Sequence, residues 1–200
     1  MRVLCFGGTF NPIHHGHLIC ARAIAEAGGF DQVLLIPSAQ PPHRGGQFDL
    51  ASAQDRLTMC QLAIKDAPFF AISDLELRRS GPSYTLETAR ALRHQGLEEV
   101  CWLIGGDTVP QLPSWHDPAA LMREVKFVVM ARPGWNFDWD SLEPPYRDLR
   151  QNVVQGPLIE ISATEVRRRV AAGLGIEFLV PAVVRDYIKE RGLYRVGTSA

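Results

Sequence analysis

The chain predicts an α/β fold, doubly wound about a mainly parallel sheet with helices on both faces, and three features predict it. Short apolar runs alternate with helical patterns along most of the 200 residues. Every crossover between parallel strands must pack back onto the sheet, so repeated strand–helix units cover both of its faces. The length and a 46% apolar composition supply one full core, and residues 1–200 read as a single domain.

The elements follow in order. Residues 3–6 and 33–37 are short buried strands, and 21–27 between them has helical composition. Residues 49–67 read as a second helix, because Leu50, Ala53, Leu57, Cys60 and Ile64 recur at three- and four-residue spacing and Pro68 stops it. A third strand is expected over 69–75, a helix over 85–94 ended by Gly96, and strands over 100–104 and 126–131. Residues 135–150, rich in Asp, Pro and aromatics, read as a surface excursion. A last strand is expected over 158–161, then helices over 163–172 and 181–191, the second with Pro181 at its first position. In such a Rossmann-like sheet ligands bind beyond the carboxyl ends of the strands. The loops over 7–17, 37–44, 105–115 and 132–134 should therefore share one rim.

Composition narrows the partners. Lys and Arg number 21 against 22 Asp and Glu, a formal charge of −1, which supplies no field for a nucleic-acid polymer or a membrane. The longest apolar run, 178–184, contains a proline and is far short of the roughly 18 residues that span a bilayer. Gly7-Gly8 comes too early for a signal-peptide core. The four cysteines (5, 20, 60, 101) are widely spaced in apolar surroundings, against a disulfide framework or zinc knot and in favour of a reducing cytoplasm.

The first rim loop, Gly7-Gly8-Thr9-Phe10-Asn11-Pro12-Ile13-His14-His15-Gly16-His17-Leu18, carries the strongest chemical signal. Paired glycines after a buried strand let backbone approach a ligand, and a following helix start offers N–H groups to an anion. No GK[ST] follows, so this is not a Walker loop. His14 and His17, three apart, would lie on one helix face and could donate to phosphate oxygens. Zinc would need further ligands, and only His43 and scattered carboxylates offer themselves, so no protein metal ligand is expected.

A second constellation is Ile161-Ser162-Ala163-Thr164-Glu165-Val166-Arg167. Ser162 with Glu165 makes a capping box, and Arg167, Arg168 and Arg169 then fall in the first two turns, where the helix dipole disfavours cations unless an anion binds. Ser83-Tyr84-Thr85 opens another helix and is either a simple cap or an anion cradle. Asp107 could hold a ribose hydroxyl, and Trp115, eight residues on, could stack on a flat electron-poor ring.

GGTFNPIHHGHL at 7–18 resembles the (G)GxFxPxHxGH signature of the nucleotidyltransferases, and ISATEVR at 161–167 resembles their ISSTxxR signature. Within that superfamily the chain is similar to the bacterial nicotinate mononucleotide adenylyltransferases, through Ile36-Pro37 with Pro41-Pro42-His43-Arg44, Pro82 to Thr85, Gly105 to Asp107 with Leu112 and Trp115, Arg132-Pro133-Gly134, and the closing Val180 to Tyr194. Three positions depart from the commonest pattern: Ala163 for Ser, Asn11 for Asp, and Ser38 for Asn.

The resemblance implies transfer of AMP from ATP to nicotinate mononucleotide in NAD biosynthesis. It implies that His14, His17 and Arg167 are catalytic. Gly8, Thr9, Phe10, Gly16, Asp107, Ser162 and Thr164 would bind ATP, with Asp107 on a ribose hydroxyl. Ser38, His43, Tyr84, Thr85, Trp115 and Arg132 would bind the acceptor: Trp115 stacks on the pyridine, the Tyr84 and Thr85 N–H groups take the carboxylate, and Arg132 takes the phosphate. Mg²⁺ would accompany ATP, held by phosphates and water. A homo-oligomer is compatible with the sequence. The rival readings are a nicotinamide mononucleotide or phosphopantetheine adenylyltransferase, and a catalytically silent nucleotide-binding protein.

Overall fold

The computed structural model describes residues 1–41 and 50–195. Six strands form one sheet: β1 (Val3–Gly8), β2 (Gln32–Pro37), β3 (Phe70–Ile72), β4 (Cys101–Gly105), β5 (Lys126–Ala131) and β6 (Val153–Gln155). Their order is β3-β2-β1-β4-β5-β6, and every pairing is parallel. The helices are α1 (His15–Ala27), α2 (Ala53–Ile64), α3 (Thr85–His94), α4 (Pro118–Glu124), α5 (Ala163–Ala171) and α6 (Ala182–Arg191). The expected doubly wound α/β fold is present.

Alternation along the strands divides the core in two. Leu4, Val33, Leu35 and Leu103 face α1, α2, α5 and α6 through Ile24, Met59, Val166 and Ile188. Cys5, Ile36, Trp102 and Ile104 point the other way, onto Leu86 and Leu92 of α3 and Leu121 of α4. Strand order reverses between β1 and β4, so the cleft at their carboxyl ends is where the topology places a ligand. Gly7 lies there because a Cβ would run into the Trp102 indole on β4.

Several boundaries differ from expectation, each for a physical reason. α1 begins at His15 instead of 21, since His14 caps it. Ser52 caps α2, which shortens it to Ala53–Ile64. β3 keeps only three residues, because only Phe70, Ala71 and Ile72 find ladder partners on β2. The edge of β5 is taken by Val153, Val154 and Gln155, so the expected strand at 158–161 has nothing to pair with, and Leu158 is exposed. α4 escaped the sequence reading although Asp117 followed by Pro118 is a helix-start pattern. Pro181 is the cap of α6, one position before the expected place. The excursion carries two 3₁₀ turns, Trp139–Ser141 and Arg147–Asn152. All four cysteines are buried and free, and among the described residues no helix is long and apolar enough to cross a membrane.

Candidate active site

The loop after β1 turns at Phe10, whose φ is +45°, and delivers His14 and His17 to the start of α1. The two form a reciprocal cap: His17 N–H donates to His14 Nδ1, and His14 N–H donates to His17 Nδ1, both at 3.3 Å. With Nδ1 accepting, each ring carries its proton on Nε2. The rings stack with centroids 3.6 Å apart, and Phe10 meets His17 edge-on at 5.2 Å. Burial, with the charge of His15 adding to it, pushes the His14 pKa down to about 4. Burial and then His14 hold His17 well below the ordinary histidine value. Both imidazoles are thus neutral at pH 7 and can serve phosphate oxygens as Nε2–H donors, without a full positive charge.

The second constellation meets the first. A Cβ at Gly16 would lie 3.1 Å from His14 Nδ1 and 3.2 Å from the Ile161 carbonyl, so α1 starts against the segment leading into α5. Arg167, 8% exposed, donates to the Asn11 carbonyl at 3.0 Å. Asn11 Oδ1 accepts from Ala51 N–H and from Tyr194 Oη–H, which ties the loop to the approach of α2 and to the segment after α6. Ser162 caps α5 by accepting from Glu165 N–H at 3.1 Å. The expected capping box is half made, because the Glu165 carboxylate pairs with Arg168 at 2.7 Å. Arg169 donates to the Gly175 carbonyl, so all three arginines have structural partners. Ser162 and Thr164 are exposed.

Beside this loop a cavity of about 370 Å³ opens at the carboxyl ends of β1 and β4. Of the expected site residues it is lined by Gly8, Thr9, Ser38, Tyr84, Thr85 and Trp115. Trp115 packs edge-on against Phe127, and its Nε1–H is buried with no partner among the described residues. Tyr84 stacks on His116 at 4.2 Å. No side chain caps α3, so the first-turn N–H groups keep their capacity for an anion. The Tyr84 N–H is an exception, donating to the Pro82 carbonyl at 3.0 Å. The Tyr84 N–H, expected to meet an anion, is thus already engaged within the backbone. The Ser38 hydroxyl donates to the Gly8 carbonyl at 3.3 Å and so ties two rim loops together. Asp107 and Arg132 are exposed and stand outside the cavity wall; His43 lies outside the described residues.

Two buried charges beside the cleft, Arg56 and Glu76, escaped the sequence reading. Arg56 on α2 is 1% exposed and donates to four carbonyls, those of Ala51, Thr9, Ser38 and Ala39. It joins the loop after β1 to the loop after β2. Its position four residues before buried Cys60, on the apolar face of α2, was the available signal. Glu76 is 4% exposed, lines the cavity and accepts from Thr88 Oγ1–H at 2.7 Å. An acid between Leu75 and Leu77 was its only sequence mark.

The model of the cytidylyltransferase-like family matches residues 5–169. The chain belongs to that family. A relative from Thermomicrobium roseum, named "Probable nicotinate-nucleotide adenylyltransferase", is 42% identical over 97% of this chain and 92% of its own. One of the same name from Herpetosiphon aurantiacus is 41% identical over 96% and 98%. Nicotinic acid mononucleotide adenylyltransferase of Plasmodium falciparum, solved in complex with NaAD, has the same fold: TM-score 0.76, 18% identity, 97% of this chain and 98% of that one. The family match spans both histidines and Arg167, and the full-length relatives extend the likeness through α6.

Proposed function

We propose that the protein transfers AMP from ATP to nicotinate mononucleotide, releasing pyrophosphate and giving deamido-NAD for NAD biosynthesis. The observation that carries the reading is the neutral, mutually capped His14–His17 pair beside a cavity bounded by Trp115 and the open start of α3. The names of the full-length relatives support the same reaction.

A phosphate oxygen of the mononucleotide attacks the α-phosphorus of ATP. The bond from that phosphorus to the bridging oxygen breaks in line, and pyrophosphate departs with its electron pair. No covalent enzyme intermediate is required, so positioning and neutralisation of the equatorial oxygens supply the rate. His14 and His17 Nε2–H, with the Gly8–Thr9 backbone, serve the ATP phosphates. Phe10 buttresses His17, and Gly16 leaves room for the nucleotide. Ser162, Thr164 and Arg167 take the β- and γ-phosphates at the start of α5, and Asp107 takes a ribose hydroxyl.

On the acceptor side Trp115 stacks on the pyridinium ring, and Thr85 N–H with its neighbours takes the carboxylate. Tyr84 and Ser38 shape the wall, while Arg132 and His43 serve the acceptor phosphate from the rim. Among the described residues no cluster of three or more His, Cys, Asp or Glu is placed to hold a metal. A Mg²⁺ ion would accompany ATP, held by its phosphates and water, and would neutralise charge on the leaving pyrophosphate. The free buried thiols fit a reducing cytoplasm.

The test is pyrophosphate release from ATP and Mg²⁺ with nicotinate mononucleotide, nicotinamide mononucleotide and phosphopantetheine offered separately. Strong preference for the first supports the reading. Activity with none of them, on folded protein, removes it.

A further inference from the structure

The closing segment from Val180 to Tyr194 belongs to the sequence likeness, yet no step of the reaction above uses it. After α6 ends at Gly192 the chain makes one more turn, and Tyr194 takes a left-handed φ of +62°. A bulky side chain holds that conformation only where its surroundings offset the cost. Here the ring packs against the core shared by α1, α2 and α6, and Oη–H donates to Asn11 Oδ1 at 2.8 Å.

At Asn11 this turn reaches the site. Asn11 is 1% exposed, its side chain also accepts the Ala51 N–H at 3.0 Å, and its carbonyl accepts from Arg167 at 3.0 Å. His14, the cap of α1, stands three residues further on. A shift of Asn11 therefore moves the histidine pair and the Arg167 guanidinium together.

We propose that Tyr194 is a positioning residue for AMP transfer: from 183 positions along the chain its hydroxyl holds Asn11, and so sets the loop after β1 where His14, His17 and Arg167 meet the ATP phosphates. The inference rests on the phosphate-binding reading of those three residues. The hydroxyl acts through the loop and not on substrate. In-line transfer is sensitive to such a displacement, because its rate comes from groups held in near-attack geometry. Tyr187 supplies the control: on α6 its hydroxyl donates to Asp55 Oδ1 at 2.8 Å, which ties α6 to α2 and not to the loop after β1.

The experiment compares Tyr194→Phe and Tyr187→Phe with wild type at saturating ATP, Mg²⁺ and nicotinate mononucleotide, each well below its Tm. Each variant loses one hydroxyl. Tyr194→Phe is expected to lower kcat about three- to tenfold with the acceptor KM nearly unchanged, and Tyr187→Phe to keep the wild-type kcat. An unchanged kcat in Tyr194→Phe, or equal losses in both variants, would show a merely structural tether and overturn the proposal.

If Tyr194→Phe does not fold, hydrogen exchange of the wild type is followed with and without α,β-methylene-ATP. Coupling is reciprocal. An analogue held by His14, His17 and Arg167 should slow exchange of the Leu193 N–H, which donates to the Ile188 carbonyl, together with the loop over 9–17. Protection of the loop without any at 193–195 overturns the proposal, and protection of neither removes the phosphate site along with it. Wild-type protein that consumes no mononucleotide would remove the reaction, and the exchange readout, which needs no turnover, keeps that failure distinct from this one.

Discussion

His14 and His17 each accept at Nδ1 the backbone N–H of the other, and their rings lie nearly parallel at 3.6 Å. One arrangement therefore caps a helix, sets two tautomers and aims two N–H donors. The donors are fixed before any substrate arrives, so little reorganisation opposes their use in a transition state.

His17→Ala should lower kcat by about 10²- to 10³-fold, with smaller changes in either KM, because the lost contact strengthens as charge spreads over the α-phosphate. Steady-state kinetics with circular dichroism check it. Turnover near the wild-type rate in folded protein would remove His17 from the chemistry.

Acid should loosen the fold through the same pair. The folded pKa of His14, about 4, lies below its ordinary value of 6.5, so between those pH values the unfolded chain binds more protons. The resulting stability is fully present above pH 6.5 and is lost as pH falls toward 4, roughly 3 kcal/mol from His14 alone. Urea midpoints at pH 7 and pH 4.5 measure the loss. His14→Asn, which keeps a capping side chain, should flatten it, and equal losses in variant and wild type would refute the buried neutral imidazole.

Arg56→Met should destabilise the fold by about 2–5 kcal/mol, because four carbonyls lose their donor in a site closed to water. It should also raise the KM for both ATP and the acceptor, since the guanidinium joins Thr9 on one side to Ser38 and Ala39 on the other. Arg56→Lys, with a single ammonium in place of a planar fork, should recover only part of either effect. A rise in only one KM would contradict the bridging role.

The mainly parallel doubly wound sheet, both signature loops and the capping Ser162 were legible in the sequence because each depends on local chemistry: apolar alternation, glycine pairs and a short polar side chain at a helix start. His14 as a cap was not, since imidazole is an uncommon capping group and only the reciprocal arrangement makes it work. The strand at 158–161 misled because alternation records which faces are apolar and not whether a ladder partner is free. Arg56 and Glu76 were hidden for a different reason. Charged residues are ordinarily solvated, and their partners here are backbone groups and hydroxyls on distant segments that no spacing rule brings together.

The position of β1 at the centre of the sheet has a consequence for how the molecule assembles. On one side β1 takes a near neighbour in the chain, with Leu4 beside Val33; on the other it must find Leu4's partner Cys101, far along the sequence. Closing that long loop is the costly, slow step of forming such a sheet. The cleft between β1 and β4 exists only once it is complete. Catalytic competence is therefore gained late in folding, when the two halves of the chain have docked, and recovery of activity after refolding reports the arrival of the whole sheet.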